Sequence, residues 1–313
     1  MNPGDEQPVD QPPFGHEPVL VSEVLDLLIS DGAATAQTYC DATIGLGGHG
    51  RAILERSGPK GRLIGLDRDA DALAVARNTL QPFGDRVTLV HAPFSRVRSV
   101  LEGLGAVPLD GFLVDLGVSS PQLDRSERGF SFQREGPLDM RMDQSAGETA
   151  AELLARIDEG QLARLLRDFG EERFAGRIAR HIIEARDQGK LDSTATLAAI
   201  VARAVPGRER HKNPATRTFQ ALRIAVNEEL DELDTFLNQA AACLRPGGRL
   251  CVIAFHSLED RMVKRRFRAM ADPAAAGPRV RVLTKRIVVA SEDEQARNPR
   301  SRSAKLRAAE RLA

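Results

Sequence analysis

The sequence predicts an α/β fold in which a largely parallel sheet is interrupted by an all-helical insertion. From residue 38 to residue 115, short apolar runs alternate with helical stretches, a rhythm typical of strand–helix units. The rhythm stops after Pro121 for about a hundred residues and resumes at residues 248–255. The 313 residues are enough for about two domains at ~150 residues each.

Four strands are predicted before the interruption. They cover residues 38–41, 62–67, 86–90 and 111–115. The Ala-rich segment from Ala70 to Leu80 has the apolar spacing of a helix that packs on such a sheet, and residues 51–56 belong to an earlier helix. A fifth strand, residues 248–255, follows a turn at Pro246.

Helices dominate the expected insertion. Thr149 and Glu152 stand before an apolar pair in the spacing of a capping box, so a helix is expected to begin there. Pro214 after Asn213 suits the first position of another helix. Further helical patterns cover residues 159–169, 172–186 and 194–204. The expected division is a flexible acidic tail at residues 1–15, an α/β domain at 16–120 and 226–313, and an inserted helical domain at 121–225.

Composition excludes several classes of protein. No run approaches the ~18 apolar residues of a transmembrane helix, and the acidic N-terminus lacks the basic-then-apolar order of a signal peptide. A cytoplasmic protein without a membrane partner is therefore expected. Cys40, Cys243 and Cys251 lie in apolar strings without CxxC spacing, so neither a disulfide framework nor a metal site is expected. With 12 Phe, one Tyr and no Trp, a wide aromatic surface for single-stranded nucleic acid is not expected.

The formal net charge of zero conceals a gradient along the chain. Residues 1–50 contain eight acidic residues and no Lys or Arg, whereas residues 261–313 contain 15 basic and five acidic residues. The expected insertion adds a basic group within 21 positions: Arg203, Arg208, Arg210, Lys212, Arg217 and Arg223. This asymmetry is compatible with a polyanionic partner, although solvated Arg-rich helical faces produce the same pattern.

A glycine-rich segment directly after the first strand is the most informative part of the sequence. Residues 41–50 read DATIGLGGHG, which satisfies the spacing GxGxxG at Gly45, Gly47 and Gly50. This spacing alone does not distinguish between nucleotide cofactors. Asp41 would repel a pyrophosphate at the helix N-terminus, but it would attract the sulfonium and ammonium groups of S-adenosylmethionine. The carboxylate therefore favours S-adenosylmethionine over NAD.

Three side chains that follow the later strands extend this site. Asp67 ends the second strand, 22 residues after Gly45, where an acid can accept hydrogen bonds from both ribose hydroxyls of a nucleoside cofactor. Phe94 follows the third strand, where it either packs on the adenine or belongs to the core. Asp115 ends the fourth strand, beside the crevice in which such sheets bind ligands.

The chain contains several long motifs: HEPVL at residues 16–20, the glycine loop ending GGH at 47–49, DRD at 67–69, DLGVSSPQ at 115–122, RGFSF at 128–132, GPLDMRM at 136–142, PATRTFQ at 214–220, FHSLEDR at 255–261 and NPRSRS at 298–303. Together they resemble the motifs of the MraW family of ribosomal RNA methyltransferases. One departure is FGEERFA at residues 169–175, where Phe169 replaces the family's common Tyr. The resemblance runs from about His16 to Arg311.

The resemblance implies a class I (Rossmann-like) methyltransferase sheet with an inserted helical domain that recognises the substrate. It implies S-adenosyl-L-methionine as the cofactor, held by a set of seven residues: Gly47, Gly48, His49, Asp67, Phe94, Asp115 and Gln122. It also implies N4-methylation of a cytidine in the decoding centre, the P-site region, of 16S ribosomal RNA. The implied partner is this RNA within the small ribosomal subunit, and no obligate protein partner is evident.

The target amine would make particular demands on the site. Cytosine N4 is a poor nucleophile because its lone pair is delocalised into the ring. Amino methyltransferases commonly place an Asp/Asn-Pro-Pro-aromatic loop after the fourth strand, whose acceptors bind the amine N–H groups. Here residues 115–121 read DLGVSSP, with one late proline and no adjoining aromatic residue. Asp115 is the candidate catalytic acceptor or serves the cofactor alone, and His256 either approaches the crevice or has a structural role.

Three other functions remain open at this point. A methyltransferase acting on DNA or another RNA would carry the same cofactor motifs, whereas the basic insertion argues against a small-molecule substrate. A non-catalytic module that binds RNA or protein is disfavoured because the glycine loop and Asp67 are intact. An NAD-dependent oxidoreductase is disfavoured by Asp41 and by the lack of a second nucleotide-binding half.

Overall fold

The computed structural model describes residues 17–29, 36–206 and 213–313. The expected acidic tail at residues 1–15 and the basic residues Arg208, Arg210 and Lys212 lie outside this part of the chain. Its strands are β1 (Thr38–Asp41), β2 (Arg62–Asp67), β3 (Val87–His91), β4 (Leu109–Asp115), β5 (Leu244–Ala254), β6 (Val280–Val282) and β7 (Lys305–Arg311). They form one sheet in the order β3-β2-β1-β4-β5-β7-β6.

The sheet is covered by helices on both faces. The α-helices are α1 (Val21–Leu28), α2 (Gly48–Arg56), α3 (Ala70–Leu80), α4 (Val97–Gly103), α5 (Ser120–Asp124), α6 (Ala150–Arg156), α7 (Glu159–Gly170), α8 (Ala175–Asp187), α9 (Thr194–Ala204), α10 (Thr216–Asn227), α11 (Glu229–Cys243), α12 (Ser257–Ala271) and α13 (Glu292–Arg297). Apolar residues of α1, α2 and α3 pack on one face of the sheet, and those of α4, α11 and α12 pack on the other. The result is a three-layer α/β architecture.

Side-chain alternation along the strands explains why both faces are apolar. Tyr39 and Leu113 belong to the cluster under α1–α3, whereas their chain neighbours Cys40 and Phe112 belong to the cluster under α11. Successive side chains of a strand point to opposite faces, so a strand covered on both sides must be apolar throughout. The four strands β1, β2, β4 and β5 pair in parallel, as this pattern requires.

Local sequence signals determine where α3, the helix that follows β2, begins and ends. Asp69 caps α3, and its carboxylate accepts hydrogen bonds from the backbone N–H groups of Asp71 and Ala72. Buried residues at 72, 73, 76 and 80 form the stripe that faces the sheet. The helix ends at Leu80, two residues before Pro82, which cannot donate a helical hydrogen bond. The bounds Ala70–Leu80 agree with the prediction.

The segment between β4 and β5 contains α5 to α11, and its helices α6 to α10 share an apolar cluster of their own. This cluster includes Leu162 and Leu166 of α7, Ile178 and Ile182 of α8, and Leu222 of α10. No strand occurs in the described parts of this segment, residues 116–206 and 213–243. The predicted capping box is present: Thr149 Oγ1 accepts from the Glu152 N–H, and the Glu152 carboxylate accepts from the Thr149 N–H. The predicted α/β class with a helical insertion is confirmed.

Some predicted elements differ from the structure. The strands β6 and β7 were not expected, because the β7 segment KLRAAER has few β-branched residues and many charges. β7 forms because its backbone pairs antiparallel with both β5 and β6. The expected turn at Pro246 is instead an irregularity within β5, whose Leu244 already pairs with Leu109 of β4. α8 begins three residues later than predicted, at Ala175, and α10 two residues later than Pro214.

The strand order reverses between β1 and β4. The chain proceeds outward from β1 to β2 and β3 on one side, and β4 then returns to pair with β1 on the other. Open α/β sheets bind their ligands outside the carboxyl ends of the strands at such a reversal. In the described part of the chain, no helix has the length and apolarity needed to cross a membrane.

Candidate active site

A cleft opens at the carboxyl ends of the strands, where the order reverses. It encloses about 880 Å³ of empty space, part of which is open to solvent. Of the sequence-predicted site residues, the lining contains Asp67, Phe94, Asp115 and Gln122. These side chains come from the ends of β2 and β4 and from the segments after β3 and β4, so the topology brings them together.

Asp67 is tied to the glycine loop. Its Oδ2 accepts a hydrogen bond from the Gly45 N–H at 2.8 Å, and its Oδ1 accepts one from the Asp69 N–H at 2.8 Å. Each carboxylate oxygen has a second lone pair, so further bonds to ligand hydroxyls remain available. The carboxylate therefore shapes the loop as well as facing the cleft.

Glycine is required at different positions of the loop for different structural reasons. Gly45 and Gly47 have φ angles of 52° and 87°, a left-handed conformation that side chains rarely adopt. A Cβ at Gly48 would lie 2.6 Å from Pro18 Cγ, and one at Gly50 would lie 2.7 Å from side-chain atoms of β2 and the loop. Gly47, Gly48 and His49 do not line the cleft itself but form the start of α2 beside it. At Gly48, the close contact that excludes a Cβ is therefore with Pro18 of the protein itself.

His49 contacts Asp115, which lines the cleft. His49 Nε2 lies 3.7 Å from Asp115 Oδ2, which is an ion-pair distance but too long for a hydrogen bond. Burial lowers the pKa of His49 to about 4, so its imidazole is neutral at pH 7 and the contact is not an ion pair. The pKa of Asp115 is raised well above its usual range by burial and by the nearby carboxylates of Asp41 and Glu259.

Asp115 has an atom without a partner. Its Oδ1 is buried and has no hydrogen-bond partner among the described residues, while its backbone N–H donates to Thr43 Oγ1 at 2.7 Å. A buried acceptor without a donor is costly, and a cation or an N–H group in the cleft would relieve the cost. The atom therefore fits a ligand that carries positive charge or donates a hydrogen bond.

Two further acids stand at the ends of neighbouring strands: Asp67 lines the cleft, whereas Asp41 is buried and does not. Asp41 at the end of β1 is buried, and burial raises its pKa to about 7. Burial also raises the pKa of Asp67 to about 6. A cationic ligand favours the ionised form of both groups, so the residues present fit the sulfonium and ammonium groups of S-adenosylmethionine.

Phe94 and Gln122 are held by contacts behind the cleft wall. The ring of Phe94 packs edge to face on Phe236 of α11, with centroids 5.8 Å apart. Gln122 is buried; its Oε1 accepts from the Ser119 N–H, and its Nε2 donates to Asp69 Oδ2 at 2.8 Å. Asp69 is also paired with Arg128, whose Nη2 lies 2.9 Å away. Gln122 is therefore fixed by a buried polar network that links the insertion to α3.

The structure adds cleft residues that sequence reasoning missed. They are Thr43, Arg68, Gly117, Met142, Glu229, Phe255 and Glu259. Thr43 lies inside the predicted loop and could have been inferred from it. Glu229, Phe255 and Glu259 come from the start of α11 and the β5–α12 turn, so only the folded topology brings them to the site.

Glu229, His256 and Glu259 form a cluster beside the cleft. Their ligand atoms lie within 4.8 Å of one another, the one such set among the described residues. Arg223 already forms a two-point ion pair with Glu229, at 2.7 and 2.8 Å. His256 caps α12: its Nδ1 accepts from the Glu259 N–H. His256 therefore has a structural role in the turn, and it does not line the cleft.

The chain matches known proteins along almost its whole length. Residues 13–312 match the MraW methylase family. "Ribosomal RNA small subunit methyltransferase H" from Nitratidesulfovibrio vulgaris (strain DP4) is 50% identical over 311 residues, which cover 95% of each chain. The protein of the same name from Pelobacter propionicus is 50% identical over 313 residues, covering 96% of this chain and 99% of its own. That from Acinetobacter baumannii is 49% identical over 308 residues, with coverage of 96% and 98%.

Proposed function

Because this chain belongs to the MraW methylase family, we propose that it methylates N4 of a cytidine in the decoding centre of 16S ribosomal RNA. The observation that carries the proposal is the near 50% identity, over 95% of the chain, to relatives named ribosomal RNA small subunit methyltransferase H. The proposed partner is the RNA within the small ribosomal subunit, which places the enzyme in the cytoplasm.

The cofactor is S-adenosyl-L-methionine, which supplies an electrophilic methyl group bound to a sulfonium. We assign its binding to the sequence-predicted set, with different roles for its members. Asp67 would bind the ribose hydroxyls and Phe94 the adenine, and Asp115 and Gln122 would contact other parts of the cofactor, since all four line the cleft. Gly47, Gly48 and His49 act by setting the start of α2, since none of them lines the cleft.

Asp115 is the proposed acceptor for the target amine. N4 would take up the methyl group that the cofactor supplies, and the carbon–sulfur bond would break with its electron pair left on sulfur. The amine would lose one proton, which the Asp115 carboxylate can accept because its pKa is raised by burial. The partnerless Asp115 Oδ1 can accept an N–H hydrogen bond from N4 and so direct the nitrogen lone pair at the methyl group. Such alignment supplies much of the rate in methyl transfer.

We propose that residues 121–225 recognise the RNA together with the basic face of α12. Arg223 is not available for this role, because it is paired with Glu229. Along α12, Lys264, Arg265 and Arg268 are exposed and form no ion pair within the described residues. Their spacing places them on one face of the helix. We call these three residues the α12 stripe. Glu259 of α12 lines the cleft, and Arg268 lies nine residues further along the helix, ~14 Å away at 1.5 Å per residue.

The α12 stripe gives a prediction for RNA binding. In the double variant Lys264→Ala/Arg268→Ala, binding to small ribosomal subunits should weaken, and the slope of log affinity against log salt should become shallower by about 2. Filter binding at several salt concentrations measures both. The control is Lys60→Ala/Arg62→Ala, which removes two exposed charges near the amino end of β2, at the opposite edge of the sheet. Equal losses in the two double variants would contradict the assignment.

The raised pKa values of Asp41 and Asp67 predict how cofactor affinity depends on pH. Both carboxyls are partly protonated near pH 6–7 in the free protein and must ionise to stabilise the cation. Affinity for S-adenosylmethionine should therefore rise between pH 5.5 and 8, and binding should release protons. Isothermal calorimetry in buffers of different ionisation enthalpy measures both effects. S-adenosylhomocysteine lacks the sulfonium charge and should show a weaker rise; an equal or opposite trend would contradict the role of these acids.

The function is tested by mass spectrometry of 16S ribosomal RNA nucleosides from a strain lacking this protein. Loss of N4-methylated cytidine is expected, together with its restoration when small subunits from that strain are incubated with purified protein and labelled cofactor. An unchanged nucleoside profile would refute the proposal. Duplex DNA and other RNAs in the same labelling assay test the alternative substrates.

A further inference from the structure

The cleft has two halves that lie over different strands. Asp67 and Phe94 belong to β2 and the segment after β3, whereas Phe255 and Glu259 belong to the segment after β5. β2 and β5 are separated by three strand spacings, or about 14 Å across the edge of the sheet. Asp115, at the end of β4, lies between the two halves. One half is therefore available to a nucleoside cofactor and the other to a second planar group.

Phe255 is held rigidly in the second half. Its backbone N–H donates to Glu259 Oε2 at 2.8 Å, and the N–H of His256 donates to the same oxygen at 3.2 Å. The turn after β4 is tied to the same strand, because the Leu116 N–H donates to Ile253 O. The side chain of Phe255 is partly exposed and lines the cleft.

The turn after β4 lies against this ring. Gly117 has a φ of 108°, and a Cβ built there would lie 3.4 Å from Phe255 Cδ2. The ring thus stands directly beside the loop that begins at Asp115. That loop contains no aromatic residue of its own. A neighbouring strand therefore places an aromatic ring beside the proposed amine acceptor.

We propose that Phe255 stacks on the target base while Asp115 accepts from its exocyclic amine. This inference rests on the proposed function and names the residue that holds the substrate base. A base turned out of its RNA needs an aromatic or apolar surface to replace the stacking it has lost. Phe94 serves the cofactor half, and Phe255 is the aromatic residue that lines the half next to Asp115. Because every base has a π face, this contact positions the base and does not itself select cytosine.

Kinetics of two variants test the stacking role. Phe255→Leu keeps an apolar side chain but removes the aromatic face, and its kcat/KM on small subunits should fall about 10- to 100-fold. Phe255→Tyr keeps the face and should recover most of the rate. The affinity of Phe255→Leu for S-adenosylhomocysteine should match the wild type, which also shows that the variant is folded. Wild-type kcat/KM in Phe255→Leu, or no recovery in Phe255→Tyr, would overturn the proposal.

The absence of Trp from the chain permits a direct binding measurement. Phe255→Trp introduces one Trp at the proposed stacking position, and its emission should be quenched by added cytidine in the presence of S-adenosylhomocysteine. Phe83→Trp is the matched control, since Phe83 lies outside the cleft and contacts Arg86. Equal quenching of the two variants would refute stacking at Phe255. If the wild-type enzyme does not methylate cytidine N4, the proposed function fails independently of either result.

Discussion

Asp115→Asn is expected to lower the rate of methyl transfer by about 10²-fold, or ~2.7 kcal/mol, with a smaller effect on cofactor affinity. The amide keeps one acceptor oxygen and nearly the same shape, but it loses the negative charge that favours N–H donation from the amine. The position of Asp115 between the two halves of the cleft, and its partnerless Oδ1, are the structural reasons for this expectation. Single-turnover kinetics on small ribosomal subunits at two cofactor concentrations measures the effect.

The same experiment separates two roles of Asp115. If the residue only anchors S-adenosylmethionine, the variant should bind cofactor weakly, and saturating cofactor should restore most of the rate. Full rescue would remove the catalytic assignment and leave Asp115 as a binding residue. Because burial and the carboxylates of Asp41 and Glu259 raise the pKa of Asp115, its wild-type rate should also rise with pH as the carboxyl ionises. Asp115→Asn has no such group and should lose that component of the pH profile.

Arg128→Met is expected to be the most destabilising of the proposed substitutions, by roughly 3–5 kcal/mol. Arg128 and Asp69 are 3% and 4% exposed, and their charged atoms lie 2.9 Å apart. Removing the guanidinium leaves the carboxylate of Asp69 buried without a cation, and it also removes donors to the carbonyls of Arg141 and Met142. Thermal unfolding followed by circular dichroism should show a Tm lower by about 10 °C.

Arg125→Met is the matched control for this prediction. Arg125 also lies 2.9 Å from a carboxylate of α3, that of Asp71, but both side chains are largely exposed to solvent. Exposed pairs contribute at most about 1 kcal/mol, so the control should unfold close to the wild type. Equal Tm changes in the two variants would show that burial of the Arg128–Asp69 pair is not what stabilises the contact between the insertion and α3.

The parts of the fold that the sequence predicts well are those with strong local signals. The apolar runs of β1, β2 and β4 and the capping box at Thr149 and Glu152 act over a few residues, so they can be read without knowing the fold. β7 could not be predicted in this way. Its Ala308 and Ala309 have low intrinsic preference for strands, and they form one because β5 and β6 present unpaired backbone on either side.

The residues of the candidate site also differ in whether local sequence patterns predict them. Asp67 and Asp115 end strands with clear patterns, so their meeting at one edge of the sheet follows from the predicted topology. Phe255 and Glu259 follow a strand as well, but their approach to the cleft depends on how β5 lies against β4 and how α12 turns away. The positive φ of Gly117, which sets the turn beside the ring, has no signature in the composition of its loop.

The helical insertion has a consequence for how the protein folds. β4 and β5 are neighbours in the sheet but are separated by more than a hundred residues, and each doubling of a loop adds about 0.6 kcal/mol to the entropic cost of closing it. Val118 and Val226, which flank residues 121–225, both pack against the internal apolar cluster of the insertion. Once that cluster has collapsed, the two strands are already close, and the effective loop is short. Refolding of the sheet should therefore follow formation of the insertion, and a mutation that loosens only the helices should slow the pairing of β4 with β5.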